Sequence, residues 1–130
     1  FQPIAKLSVE HLGVSLVALD KASGEALALG PGLLNYENKI GVNGTAFIVG
    51  HRDSHMRFLK DLKVGENLTL ELSNGVQQTY QAIRSDIVDS RTWTTPIDPT
   101  STTSIALVTC WPFDETQSGP ERYILYANLI

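Results

Sequence analysis

Short runs in which apolar and polar positions alternate recur along the chain, and turn-forming clusters rather than helix caps bound most of them. Strands are predicted over residues 3–9, 14–19, 45–49, 68–72, 77–87, 104–109 and 122–127, which are β-branched or aromatic in character. Between them lie Ser23-Gly24, Gly30-Pro31-Gly32, Asn43-Gly44, Ser73-Asn74-Gly75 and Ser118-Gly119-Pro120, all with turn chemistry. The runs on either side of Ser73-Asn74-Gly75 read as a hairpin, because Asn-Gly tolerates the positive φ of a tight reversal. Only residues 54–62 carry helical spacing, with Phe58, Leu59 and Leu62 on one face behind Asp53 or Ser54 as N-cap. Residues 90–103 hold six threonines and two prolines and read as a long loop over one face. The rhythm predicts an all-β barrel with one or two short helices, formed as a single domain over residues 1–130.

Composition narrows the function classes. Hydrophobic residues make up 42% of the 130 and charged residues 18%, enough apolar material for a real core and too much for a disordered chain. The net charge of −4 and the scattered Lys and Arg residues offer no basic field for a phosphate backbone, so nucleic acid is not an expected partner. The apolar run Ile105-Ala106-Leu107-Val108 is far short of the roughly 18 residues of a membrane helix. The chain opens at Phe1 rather than methionine, which suggests that a leader or anchor precedes it in the full protein.

A single cysteine excludes an intrachain disulfide and raises the question of its thiol. By default a lone cysteine is a small buried hydrophobe, and the chain is then a β-barrel binding module without chemistry. Cys110, however, ends a predicted strand and is followed by Trp111-Pro112-Phe113, where proline forces the chain out of the ladder. A thiol reacts as the thiolate and needs a proton acceptor or a cation nearby. His51 follows the apolar strand end Phe47-Ile48-Val49-Gly50, whose glycine permits close approach, and its imidazole suits proton transfer near neutral pH. Arg122 opens the last strand; by default it is solvated, but near a thiol its rigid fork can steady an oxyanion. His11 and His55 read as surface residues. His51, His55 and Cys110 are acceptable zinc ligand types without an established spacing, and Glu37, Asp61, Glu66 and Asp86 form no calcium loop, so no metal or cofactor is expected.

These residues stand in a familiar context. Ile105-Ala106-Leu107-Val108-Thr109-Cys110 resembles the sortase signature TLxTC, with alanine for its first threonine. Gly50-His51-Arg52-Asp53 resembles the sortase histidine segment, and Gly119-Pro120-Glu121-Arg122-Tyr123-Ile124-Leu125-Tyr126-Ala127 resembles the closing strand with the family's essential arginine. Leu29-Gly30-Pro31-Gly32 is similar to the turn that commonly precedes the histidine strand. Order and spacing agree, some sixty residues from His51 to Cys110 and then twelve to Arg122, and the likeness runs from about Pro3 to Ala127. The continuation Cys-Trp-Pro-Phe is most similar to class D-like sortases, including a proteobacterial branch.

The resemblance implies a closed eight-stranded barrel, antiparallel and mixed, with Cys110, His51 and Arg122 converging in one groove. It further implies a monomeric cysteine transpeptidase that cleaves an LPxTG-like signal on a secreted protein and passes it to an amine acceptor, a peptidoglycan component or another surface amine. Its catalytic domain would lie outside the cytoplasm behind an N-terminal membrane anchor. Thr109, Trp93 and Trp111 are the expected substrate-groove residues, although packing explains each indole equally well. Asp53 orients His51 or caps the short helix, capping being the simpler reading.

Overall fold

The two strands with the longest unbroken burial, Gly44–Val49 and Thr103–Cys110, lie side by side in parallel with Ala46 opposite Ile105 and Val49 opposite Val108. Their near-continuous burial follows from cover on both faces, the usual condition of a parallel pair. In this computed structural model, which describes residues 1–34, 39–96, 102–117 and 119–130, they belong to an eight-stranded barrel. The strands are β1 (Pro3–Val9), β2 (Val14–Leu19), β3 (Gly32–Leu33), β4 (Gly44–Val49), β5 (Asn67–Leu72), β6 (Gln77–Asp89), β7 (Thr103–Cys110) and β8 (Glu121–Leu129). They close in the order β1-β2-β3-β4-β7-β8-β6-β5, with β2–β3 and β4–β7 parallel and the other pairs antiparallel. Part of the threonine-rich loop, Glu37 and Ser118 fall outside the described residues.

Alternation along the strands separates two apolar clusters. Leu7, Val9, Ile48, Leu70, Tyr80, Ile105, Leu107 and Leu125 point into the barrel. Phe47, Ala106, Val108 and Ile124 point the other way and pack under Trp93, Val49, Val88 and Tyr126. The β4–β7 pair is therefore buried on both sides, with Trp93 of the segment that follows β6 laid over Phe47, whereas β6 itself is mostly exposed or half-buried.

The strands expected from alternation are present, most of them extended by one or two residues, and the hairpin closes at Ser73-Asn74-Gly75 with Gly75 N donating to Leu72 O. Three features differ from the sequence expectations. A six-residue helix, α1 (Gly24–Leu29), begins at Ser23, whose hydroxyl accepts from Ala26 N. Its sequence GEALAL is too short to display a helical period, and Ser23-Gly24 reads equally well as a turn. Strand β3 has only two residues and pairs with β2 through Leu19 and Gly32 alone. The helix expected over 54–62 is instead a run of turns ending in a 3-10 helix, Arg57–Lys60. Its N-cap is Met56, without a side-chain cap bond, so Asp53 and Ser54 do not cap it. His51 O accepts from both Ser54 N and Met56 N, which tightens the chain so that Met56, Phe58, Leu59 and Leu62 all reach the core.

Among the described residues no helix is long and apolar enough to cross a membrane. Gly32 is the tightest backbone approach at the seam: a Cβ there would collide with the carbonyl of Lys21, a backbone atom that cannot swing aside. Gly32→Ala is expected to destabilise the domain by roughly 1–3 kcal/mol, read as a lower urea midpoint at unchanged m. An unchanged midpoint would show that the β2–β3 seam yields freely.

Candidate functional site

Strand alternation brings the site together. On β4, Phe47 and Val49 belong to the outer cluster; on β7, Ala106 and Val108; on β8, Ile124 and Tyr126. Continuing each row by two residues leads to His51, Cys110 and Arg122, three polar side chains at the ends of three apolar rows. Cys110 and Arg122 are direct antiparallel partners, which places their Cβ atoms about 5 Å apart on one face. Val49 and Val108 are parallel partners, so His51 leaves β4 beside the end of β7. All three line one cleft of about 380 Å3 together with Leu27, Leu34, Val49, Val108, Thr109, Ser90 and Trp93.

Hydrogen bonds between β4 and β7 continue past the last strand pair. Gly50 N donates to Val108 O at 3.1 Å, and the buried Thr109 hydroxyl donates to Gly50 O at 2.7 Å. Gly50 has no room for a side chain, since a Cβ would lie 2.5 Å from Met56 Cγ. The close approach expected of this glycine is thus made against Met56, and it seats the histidine segment on the core.

Cys110 is a free thiol and only partly buried, unlike the six residues before it. The inert core cysteine of the binding-module alternative does not match this placement. Arg122 is also partly exposed, and its Nη1 donates to Gly119 O at 2.6 Å and to Glu121 O at 2.9 Å. These two bonds aim the guanidinium, while Nε and Nη2 have no partner among the described residues.

The remaining candidates divide. Trp93 both lines the cleft and meets Phe47 edge to face at 5.5 Å, so packing and groove lining are one placement. Thr109 borders the cleft with its hydroxyl engaged by Gly50. Trp111 is not among the cleft residues; it stacks on Tyr123 at 5.7 Å and meets Phe113 at 5.1 Å, forming an aromatic trio beneath the loop after Cys110. Asp53 is exposed and lines a separate groove with Arg52, Arg57 and Asp114. His11 lies at the surface, 3.2 Å from Glu66, and His55 borders another groove with Ser15 and Lys60. Among the described residues no group of three or more His, Cys, Asp and Glu side chains could hold a metal ion, so His51, His55 and Cys110 do not assemble as one.

Two contributors were not singled out in sequence. Arg52 is 8% exposed and donates to Pro112 O at 2.8 Å and Gln117 O at 2.9 Å. Asp89 ends β6 and shapes the turn that carries Trp93: its carbonyl accepts from Trp93 N, and its carboxylate accepts from Arg91 N and the Arg91 guanidinium. Ser90 N, donating to Pro120 O, ties the same turn to the start of β8. An Asp before a Ser-Arg-Thr run is a turn signal, but nothing in the sequence says which side chain the turn delivers.

A sortase-domain family model matches residues 7–130. "Sortase D" of Bacillus subtilis (strain 168) is 27% identical over 124 residues, covering 95% of this chain and 62% of its own length, so the chain spans less than two thirds of that relative. The match runs in the same direction as the class D-like Cys-Trp-Pro-Phe sequence. Among solved structures, a lid mutant of Streptococcus agalactiae sortase C1 superposes with a TM-score of 0.84 at 16% identity, over 98% of this chain and 69% of that one. Sortase A from Corynebacterium diphtheriae superposes with a TM-score of 0.82 at 21% identity, over 99% of this chain and 61% of that one. At these identities the likeness is one of fold.

The Arg91 guanidinium, helped by the Arg91 backbone N–H, lowers the Asp89 carboxyl from 3.8 to about 2. A depressed carboxyl contributes its support fully above its unfolded value and loses it as pH falls through the folded one. The turn should therefore hold Trp93 unchanged down to a pH near 4 and loosen progressively toward about 2. Trp93 emission in a Trp111→Phe background is expected to shift red across that window, and Asp89→Asn should show the loosened signal already at neutral pH. Identical spectra for Asp89→Asn and its parent would remove Asp89 from this role.

Proposed function

The chain belongs to the sortase family, and on that premise we propose that it is a cysteine transpeptidase with Cys110 as nucleophile, His51 as proton donor and acceptor, and Arg122 as oxyanion partner. The observation that carries the reading is the convergence of these three on one face of the barrel wall, in a cleft where the thiol is partly open to solvent. The substrate is a secreted protein bearing an LPxTG-like sorting signal, and the acceptor is an amine of peptidoglycan or another surface amine. The domain works outside the cytoplasm, held at the membrane by an N-terminal anchor.

The chemistry follows from the groups. The Cys110 thiolate attacks the carbonyl carbon of the signal's threonine, and the carbonyl electron pair moves to oxygen. Arg122 Nε and Nη2, with Nη1 anchored on two backbone carbonyls, face that oxyanion as charged donors already oriented before the reaction. As the oxyanion collapses, the C–N bond breaks and His51 in its imidazolium form protonates the departing amine, leaving a thioester on Cys110. The acceptor amine then attacks the thioester, its proton passes to His51, an amide forms and the thiolate returns. Water in place of the amine gives hydrolysis. The apolar walls Leu27, Leu34, Val49, Val108 and Trp93 suit the leucine and proline of such a signal.

Incubation with a library of LPxTG-like peptides and an amine acceptor should give ligated products identifiable by mass. Cys110→Ala is expected to abolish both thioester and product, while His51→Ala and Arg122→Ala lower kcat by roughly 10²–10⁴-fold. Ligation at the parent rate by Cys110→Ala would refute the assignment.

A further inference from the structure

His51 is exposed, and no hydrogen bond involves its ring among the described residues. Its position is instead set by its two neighbours. On one side, Gly50 is joined to β7 by its N–H to Val108 O and by the Thr109 hydroxyl to its carbonyl. On the other, Arg52 Nη1 donates to Pro112 O and Nη2 to Gln117 O. Pro112 lies two residues beyond Cys110 on the outgoing limb of the β7–β8 loop, and Gln117 lies on the returning limb that leads to Gly119. The Gly119 carbonyl is the one that accepts from Arg122. A single buried guanidinium thus joins the segment of His51 to both limbs of the loop that begins at Cys110 and ends at Arg122.

The charge on Arg52 has no carboxylate within ion-pair distance among the described residues, although Asp53, Asp114 and Glu115 border the same groove. A buried cation held by carbonyl oxygens alone is an expensive way to fasten a loop. The aromatic trio Trp111, Phe113 and Tyr123 already anchors the loop's outgoing limb by packing. What the fork adds is direction: two parallel donors on a rigid plane hold two carbonyls at a set separation, which a lysine ammonium cannot do.

We propose that Arg52 is a positioning residue that sets the geometry of His51 against Cys110 by clamping both limbs of the β7–β8 loop to the histidine segment. The inference rests on the proposed cysteine chemistry, but it concerns the coupling of the two side chains and is read on the thiol itself. Catalytic geometry is sensitive to shifts of about 1 Å, so loss of the clamp should lower the reactivity of the pair while leaving substrate binding largely intact.

The test is a double-mutant cycle between His51→Ala and Arg52→Ala, read as the rate of Cys110 alkylation by iodoacetamide and as kcat and KM for ligation of a sorting peptide. Arg52→Ala is expected to slow alkylation roughly tenfold in the parent and by less than about twofold once His51 is gone, since a residue acting through His51 has nothing left to position. For ligation, kcat should fall by a similar factor with KM within about twofold, and Arg52→Lys, which keeps the charge but not the fork, should lie between. Equal slowing with and without His51, or ligation by Arg52→Ala at the parent rate, would overturn the proposal. If Arg52→Ala does not fold, Arg52→Lys enters the same cycle with the same two outcomes. A parent protein that ligates no peptide would refute the transpeptidase reading, while the alkylation cycle would still decide the role of Arg52.

Discussion

The parallel pairing of β4 with β7 is the constraint on which the site depends. Strand side chains alternate between faces, so a slip of one residue in this register would exchange every inward residue for an outward one. With Val49 opposite Val108, the outer rows of both strands end at His51 and Cys110, and β8 adds Arg122 directly across from Cys110. A one-residue slip would send Ile48 and Leu107, both fully buried, toward the outer face and leave Cys110 or His51 on the wrong side of the wall. The register is therefore enforced by apolar burial on both faces, and the polar trio inherits its alignment from hydrophobic packing.

The wall's second face has a double use. Phe47, Ala106, Val108 and Ile124 need cover, which the turn after β6 provides by laying Trp93 over Phe47. The same indole then forms part of the cleft beside Cys110. Asp89 caps that turn, its carbonyl accepting from Trp93 N and its carboxylate pairing with Arg91. At the other side of the cleft, the loop after Cys110 is held by aromatic packing and by the fork of Arg52, the residue next to His51 in sequence.

Much of this was legible in the residues. The alternating runs identified seven strands, because a half-buried strand advertises its period of two, and the family resemblance drew attention to His51, Cys110 and Arg122, which share one cleft with eight other residues. The two-residue β3 and the six-residue α1 left no such trace, being shorter than the period that would reveal them. The helical spacing of Phe58, Leu59 and Leu62 was real as burial but not as helix: His51 O accepts two backbone N–H groups and winds the segment into tighter turns that also bury Met56.

Local sequence thus determined seven of the eight strands, the turn that closes the β5–β6 hairpin, and which side chains have the chemistry of a nucleophile, a proton carrier and an oxyanion donor. Only the tertiary structure decided that Cys110 is partly open rather than buried, that Trp93 rather than Trp111 borders the cleft, and that Arg52 bonds to Pro112 and Gln117. The physical reason is separation along the chain. Period and turn chemistry act over a few residues, whereas these placements arise from contacts spanning up to 65 positions, which exist only once the register of the barrel wall is set.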